Sequence, residues 1–170
     1  LFSIPIQAMP MPAPAVDDAA FIKTTKEHLS IGYFGHAAIE KGGLVLYPII
    51  CETILSHDNV QFDLHINPNG DTAQALAIFQ TPMERVNTLF GHLSQDGLLA
   101  MMASADIVLM PYDPAKYRTT PSAIFTECAT LGKVFVIPDD TWMSIEAAKA
   151  GCGYVAYREF TAQAITAALA

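Results

Sequence analysis

The stretch Asp106-Ile107-Val108-Leu109-Met110-Pro111-Tyr112, with Thr119-Thr120-Pro121-Ser122-Ala123-Ile124-Phe125-Thr126-Glu127 and Val134-Phe135-Val136-Ile137-Pro138 after it, decides the fold. Two apolar runs bracket a polar loop and an amphipathic helix, the pattern of strand, loop, helix and strand. Thr120 is the expected N-cap and Pro121 the first helical residue, which leaves the backbone N–H groups of Ser122 and Ala123 facing the loop above the sheet. A helix start with free N–H groups, a small residue and a hydroxyl suits a phosphate. Ile124, Phe125, Cys128, Ala129 and Leu131 form the apolar face of this helix, and Ala123, Glu127 and Thr130 form a stripe beside it that a ligand can approach.

Working outward, the same alternation repeats along the chain. Residues 30–34, 60–66, 86–90, 107–110, 134–137 and 154–156 read as strands, and 39–56, 72–80, 95–104, 121–131, 141–150 and 161–169 as helices. Strands that alternate with helices of about ten residues argue for βαβ units and a parallel sheet covered on both faces. The expected class is α/β, a doubly wound, Rossmann-like parallel sheet in three α/β/α layers. In such sheets the ligand lies beyond the carboxyl ends of the strands. The loops to inspect are therefore 35–41, 67–71, 91–95, 112–120 and 138–141. Residues 1–29 carry Pro5, Pro10, Pro12 and Pro14 and read as a proline-rich interdomain linker or edge segment, with a short helix possible over 17–29. Residues 30–170 form the expected ligand-binding domain.

Composition narrows the class further. A length of 170 residues supports one domain with its own core. The formal charge is −8 with nine Lys and Arg, which argues against nucleic acid as a partner because each phosphate contact needs a cation. Charged residues are 15% and hydrophobic ones 52%, against roughly a quarter charged in an ordinary domain, so part of the surface is expected to meet another surface. No apolar run reaches the roughly 18 to 20 residues that span a bilayer. Cys51, Cys128 and Cys152 are odd in number and lack ligand spacing, as expected of free thiols in a cytoplasmic protein. The chain opens on Leu1 and reads as a piece of a longer protein.

The first loop, Gly32-Tyr33-Phe34-Gly35-His36-Ala37-Ala38-Ile39-Glu40-Lys41-Gly42-Gly43, is neither GxGxxG nor a phosphate loop, since Lys41 precedes a glycine. Taken alone it is a tight turn with a solvated lysine. Together with Val86-Asn87-Thr88-Leu89-Phe90-Gly91-His92-Leu93, the 105–111 strand and Ser122-x4-Glu127-Cys128-x3-Gly132-Lys133, however, it resembles the C-terminal, nucleotide-sugar-binding domain of a GT-B glycosyltransferase of the group 1, mostly retaining type. The resemblance covers roughly residues 30–170.

That resemblance implies a nucleoside-diphosphate sugar donor, with the acceptor held by an N-terminal domain and no metal or cofactor. Lys41 takes the position of the diphosphate lysine and Glu127 that of the glutamate on sugar or ribose hydroxyls; both are implied to act in catalysis. Gly91, His92 and Leu93 match the loop that contacts the base, and Gly35 lies in the diphosphate loop. His36 replaces that loop's arginine and Thr119 replaces the first glutamate of the E-x7-E pair, with Tyr117 and Arg118 nearby to substitute in part. Tyr117, Thr119, Thr120, Pro121, Ser122 and Ala123 are thus implied to line the donor site. As a lone domain it is expected to bind but turn over poorly. Asp113 stands alone and Asp139-Asp140 lies in another turn, so no acidic metal cluster is expected.

Two alternatives remain open. One is a nucleotide-sugar epimerase of the same fold, which needs acid/base carboxylates and has Glu127 and Asp113 available. The other is a degenerate, non-catalytic nucleotide-binding or interaction module. His28, His57 and His65 read as structural, Met101, Met102 and Met110 as core, and Trp142 as an edge contact.

Overall fold

A computed structural model describes residues 27–68 and 70–170. The linker expected over 1–29 falls almost wholly outside them. Six strands form one sheet: β1 (Leu29–Ala37), β2 (Val60–Pro68), β3 (Val86–Phe90), β4 (Ile107–Leu109), β5 (Val134–Pro138) and β6 (Tyr154–Tyr157). Their order is β3-β2-β1-β4-β5-β6 and each neighbouring pair is parallel, with Phe34 beside His65, His65 beside Leu89, and Gly32 beside Val108. Strand order reverses between β1 and β4, which opens a crevice at their carboxyl ends.

Among the described residues six helices connect the strands, α1 (Leu46–Ser56), α2 (Ala73–Leu76), α3 (Gln95–Ser104), α4 (Pro114–Tyr117), α5 (Ala123–Thr130) and α6 (Trp142–Ala150), and α7 (Ala162–Ala167) follows β6. Alternate residues of β1, β4 and β5 feed two cores, which is why β4 and β5 read as continuous apolar runs. On one face Ile31, Tyr33, Phe62, Leu64 and Ile66 pack with Leu46, Ile49 and Ile50 of α1, Leu76 of α2 and Ile165 of α7. On the other, Phe34, Val108, Phe135 and Ile137 meet Met102 of α3, Phe125 and Cys128 of α5, and Met143 and Ala147 of α6. Each fully buried aliphatic side chain contributes about 1.5–3 kcal/mol. Trp142 joins this second core edge-on to Phe125, 5.7 Å between ring centroids. Cys128 is buried, Cys51 and Cys152 are half-buried, and all three are free.

The helices differ from the sequence pattern in three places. The helix expected over 39–56 is split into a single 3-10 turn, Ile39–Lys41, and α1, because Gly42 takes a left-handed φ of 83° between them. The expected loop 112–120 contains α4, started by Asp113, whose carboxylate accepts from the Ala115 N–H at 2.9 Å, and by Pro114 in the first turn. Finally, the cap of α5 is Ser122, not Thr120, and Pro121 lies outside the helix. Ser122 is buried and accepts from the Phe125 N–H at 3.3 Å, whereas Thr120 donates to the Lys116 carbonyl at 3.0 Å and closes α4.

Gly42 decides how closely the loops after β1 and β4 approach. A Cβ there would lie 2.4 Å from the Pro111 carbonyl oxygen. Gly42→Ala is therefore expected to lower stability by about 2–4 kcal/mol, from the left-handed φ and the clash together. Gly70, where an added Cβ would meet nothing within 4 Å, is the control: Gly70→Ala is expected to change urea unfolding by less than about 0.5 kcal/mol.

Candidate functional site

The loops after β1 and β4 are stitched together at the crevice. The Asp113 N–H donates to the Glu40 carbonyl at 2.8 Å, and the Tyr33 hydroxyl donates to the Lys41 carbonyl at 3.2 Å. The Tyr157 hydroxyl meets the carbonyls of Met110 and Tyr112 at 2.9 and 2.7 Å, which fixes the chain as it leaves β4. Thr72 donates to the Ala37 carbonyl at 2.6 Å and holds the end of β1 from the other side.

On this frame Lys41 Nζ lies 5.5 Å from the centroid of the Tyr112 ring. Tyr112 packs at 4.5 Å against Tyr117 with the rings tilted, and its phenol lies beside the Ser122 side chain. A cation on the β1 loop is thus joined through one aromatic ring to the cap of α5. Burial lowers the pKa of Lys41, and the neighbouring Glu40 carboxylate partly opposes it. Burial raises Tyr33, Tyr112 and Tyr157 well above the ordinary phenol and pushes Tyr117 up to about 12, with Glu40 adding to the last.

The α5 end of the crevice is built as a half-open seat. Ser122 takes the Phe125 N–H, which leaves those of Ala123 and Ile124 as the orphan donors of the first turn. These replace the Ser122 and Ala123 pair expected from a Thr120 cap. Gly35 of β1 is close by: a Cβ on it would sit 3.5 Å from Ile124 Cδ1. Ala123 is exposed, and Glu127 is half-buried one turn on, its carboxyl raised by burial. Thr119, Thr120 and Pro121 are exposed in the segment that leads in.

The structure therefore brings Gly35, Lys41, Tyr117, Ser122 and Ala123 around one crevice. His36 is exposed on β1 beside Asn67, and His92 and Leu93 follow β3, two strands from β1. Among the described residues neither Lys41 nor Glu127 is in an ion pair. Sequence reasoning missed Tyr112, the residue that links the two sides; its signal was a lone tyrosine ending the apolar run 106–112. Among the described residues no three His, Cys, Asp or Glu side chains are grouped to hold a metal ion. A second concavity, about 540 Å³, lies beyond β5 and β6, where Arg118 pairs with Asp140 at 2.7 Å and Arg158 with Asp139 at 2.9 Å.

A sheet in this order, with its crevice between β1 and β4, has counterparts among solved structures. The catalytic domain of starch synthase IV from Arabidopsis thaliana, bound to ADP and acarbose, superimposes with a TM-score of 0.67 at 12% identity, over 88% of this chain and 31% of that one. WaaG, a glycosyltransferase involved in lipopolysaccharide biosynthesis, gives 0.58 at 18% identity, over 85% and 38%. The fold is that of a GT-B C-terminal domain. A protein from Listeria monocytogenes described as a UDP-N-acetylglucosamine 2-epimerase shares it, with a TM-score of 0.59 at 12% identity, over 83% and 35%. This GT-B fold spans about a third of the length of each of these chains. No family model and no curated protein matches the sequence. No helix of the described residues is long and apolar enough to cross a membrane.

The corrected cap has a direct test. Ser122→Ala is expected to lower stability by about 0.5–2 kcal/mol, since it removes the buried cap of α5. Thr120→Ala is expected to cost less than about 0.5 kcal/mol, because the exposed hydroxyl caps nothing in α5. Chemical denaturation of both variants distinguishes the two positions.

Proposed function

We propose that this domain binds a nucleoside-diphosphate sugar and presents it for glycosyl transfer to an acceptor held by a separate N-terminal domain. The observation that carries this reading is the Lys41–Tyr112–Ser122 connection, which sets a half-buried cation against the start of α5 where strand order reverses. A diphosphate placed there meets Lys41 from one side and the Ala123 and Ile124 N–H groups from the other. As the glycosidic bond to the donor breaks, negative charge collects on the leaving diphosphate. Both groups stabilise that charge more than the intact donor, which is how they would lower the barrier. Glu127, on the same helix, is assigned to sugar or ribose hydroxyls, and the loop 91–93 to the base. No cofactor enters this scheme, and the free thiols suit a cytoplasmic setting.

The epimerase alternative asks for a second free carboxylate in the crevice. Asp113 is committed to capping α4, and Glu127 is the half-buried acid that remains on α5. Donor binding therefore accounts for more of the geometry than acid/base chemistry on the sugar does.

Calorimetric titration with UDP, ADP and GDP tests the reading. Lys41→Ala and Glu127→Ala are each expected to weaken the preferred nucleotide roughly tenfold to a hundredfold, the worth of a hydrogen bond to a charged group. Absence of binding by all three at millimolar concentration would sink it. A pH series adds a second check. Because the Lys41 pKa is lowered, its charge is lost at a lower pH than an ordinary lysine's, and nucleotide affinity should fall as pH rises through that point. Lys41→Arg, which stays charged, should move the fall to higher pH.

A further inference from the structure

Gly91, at the carboxyl end of β3, is held by both of its polar groups. Its N–H donates to the Ile66 carbonyl at 3.2 Å, and its carbonyl lies 2.8 Å from His65 Nε2. A carbonyl only accepts, so Nε2 carries the proton and Nδ1 is a bare acceptor. His65 is 6% exposed, and its Nδ1 has no partner among the described residues. A buried acceptor left unpaired costs stability, and a leucine of similar bulk between Phe34 and Leu89 would avoid that cost. Packing alone is therefore a poor reason for an imidazole here, and the bond to Gly91 is what the ring adds. Gly91 has a φ of 90° and open space around it, so its conformation is set by these two hydrogen bonds and not by its neighbours. Beyond it, only His92 and Leu93 separate this anchor from Ser94, the cap of α3, which accepts from the Gly97 N–H at 3.2 Å. The two-residue span is pinned at both ends.

We propose that His65 is a positioning residue for base recognition: through the Gly91 carbonyl it fixes the direction in which His92 and Leu93 face the base of the bound nucleotide. The proposal rests on the donor-binding reading above. It assigns base preference to a ring buried in the sheet beneath the loop, while the diphosphate seat at Lys41 and α5 lies across the crevice and does not depend on it.

The test compares UDP, ADP, GDP and inorganic pyrophosphate binding to the wild-type chain, His65→Leu and His65→Gln by calorimetry. His65→Leu is expected to weaken the preferred nucleoside diphosphate about fivefold, the worth of one hydrogen bond, and to bring the three bases close to equal affinity. Pyrophosphate affinity should not change. His65→Gln, whose amide N–H can reach the Gly91 carbonyl, should restore the preference. If His65→Leu does not fold, His65→Asn, a polar side chain too short for the Gly91 bond, takes its place with the same expectations. Equal loss of nucleotide and pyrophosphate binding in the folded variant, or a base preference that survives it, overturns the proposal and leaves the donor reading intact. A wild-type chain that binds the three nucleotides equally also overturns it. One that binds none of them overturns both.

Discussion

The Pro111 carbonyl occupies the space in which any side chain at residue 42 would begin. That close approach joins the two loops on either side of the strand-order reversal, and the rest of the crevice follows from it. With Gly42 seated against Pro111, the Asp113 N–H reaches the Glu40 carbonyl, and Lys41 is carried over the ring of Tyr112. A doubly wound sheet makes a crevice between its first and fourth strands as a matter of topology. What lets the loops on its two sides approach so closely is a missing Cβ.

Tyrosines supply the second requirement, a polar floor in a buried place. The chain leaving β4 carries carbonyls at Met110 and Tyr112 that have run past the short strand, and the Tyr157 hydroxyl meets both. The Tyr33 hydroxyl does the same for the Lys41 carbonyl. Each phenol buries a large apolar ring and turns its one polar atom to backbone that would otherwise be unsatisfied. The ring of Tyr112 has a further use, since its face offsets part of the cost of holding the Lys41 ammonium away from water. The net effect of burial on Lys41 is still to favour the neutral form, which a neighbouring anion would oppose.

Much of the architecture could be read from the chain because β4 and β5 are short apolar runs, β2 alternates apolar with polar residues, and helices with two-sided patterns separate the strands, which periodicity records directly. The cap of α5 could not. Thr120 and Ser122 are both good caps, and Pro121 fits the first turn after one and the position before the other. What separates them is burial: Ser122 is buried and takes the Phe125 N–H, whereas Thr120 is exposed and donates to the Lys116 carbonyl, which no local pattern contains. The same holds for α4, where Asp113-Pro114 is a start signal for a helix too short to show a period. Lys41 and Glu127 were legible as types at positions; that Lys41 rests on an aromatic ring was not, because Tyr112 looks like the end of a strand.

Charge alone would point elsewhere on this surface. The concavity beyond β5 and β6 holds two arginines and two aspartates, more formal charge than the crevice shows. Yet Arg118 and Asp140 remain largely in water, as does Arg158, and exposed pairs of this kind contribute about 0–1 kcal/mol and are screened by salt. A ligand phosphate arriving there would compete with a carboxylate already at 2.7 Å and with solvent. At the crevice the half-buried cation is in no ion pair among the described residues, and the Ser122 cap leaves over the N–H groups of Ala123 and Ile124. Unmet donors on two sides of a partly dry cleft attract a dianion more strongly than satisfied charges in an open one. It is this difference in solvation, not the number of charges, that separates the crevice between β1 and β4 from the concavity beyond β5 and β6.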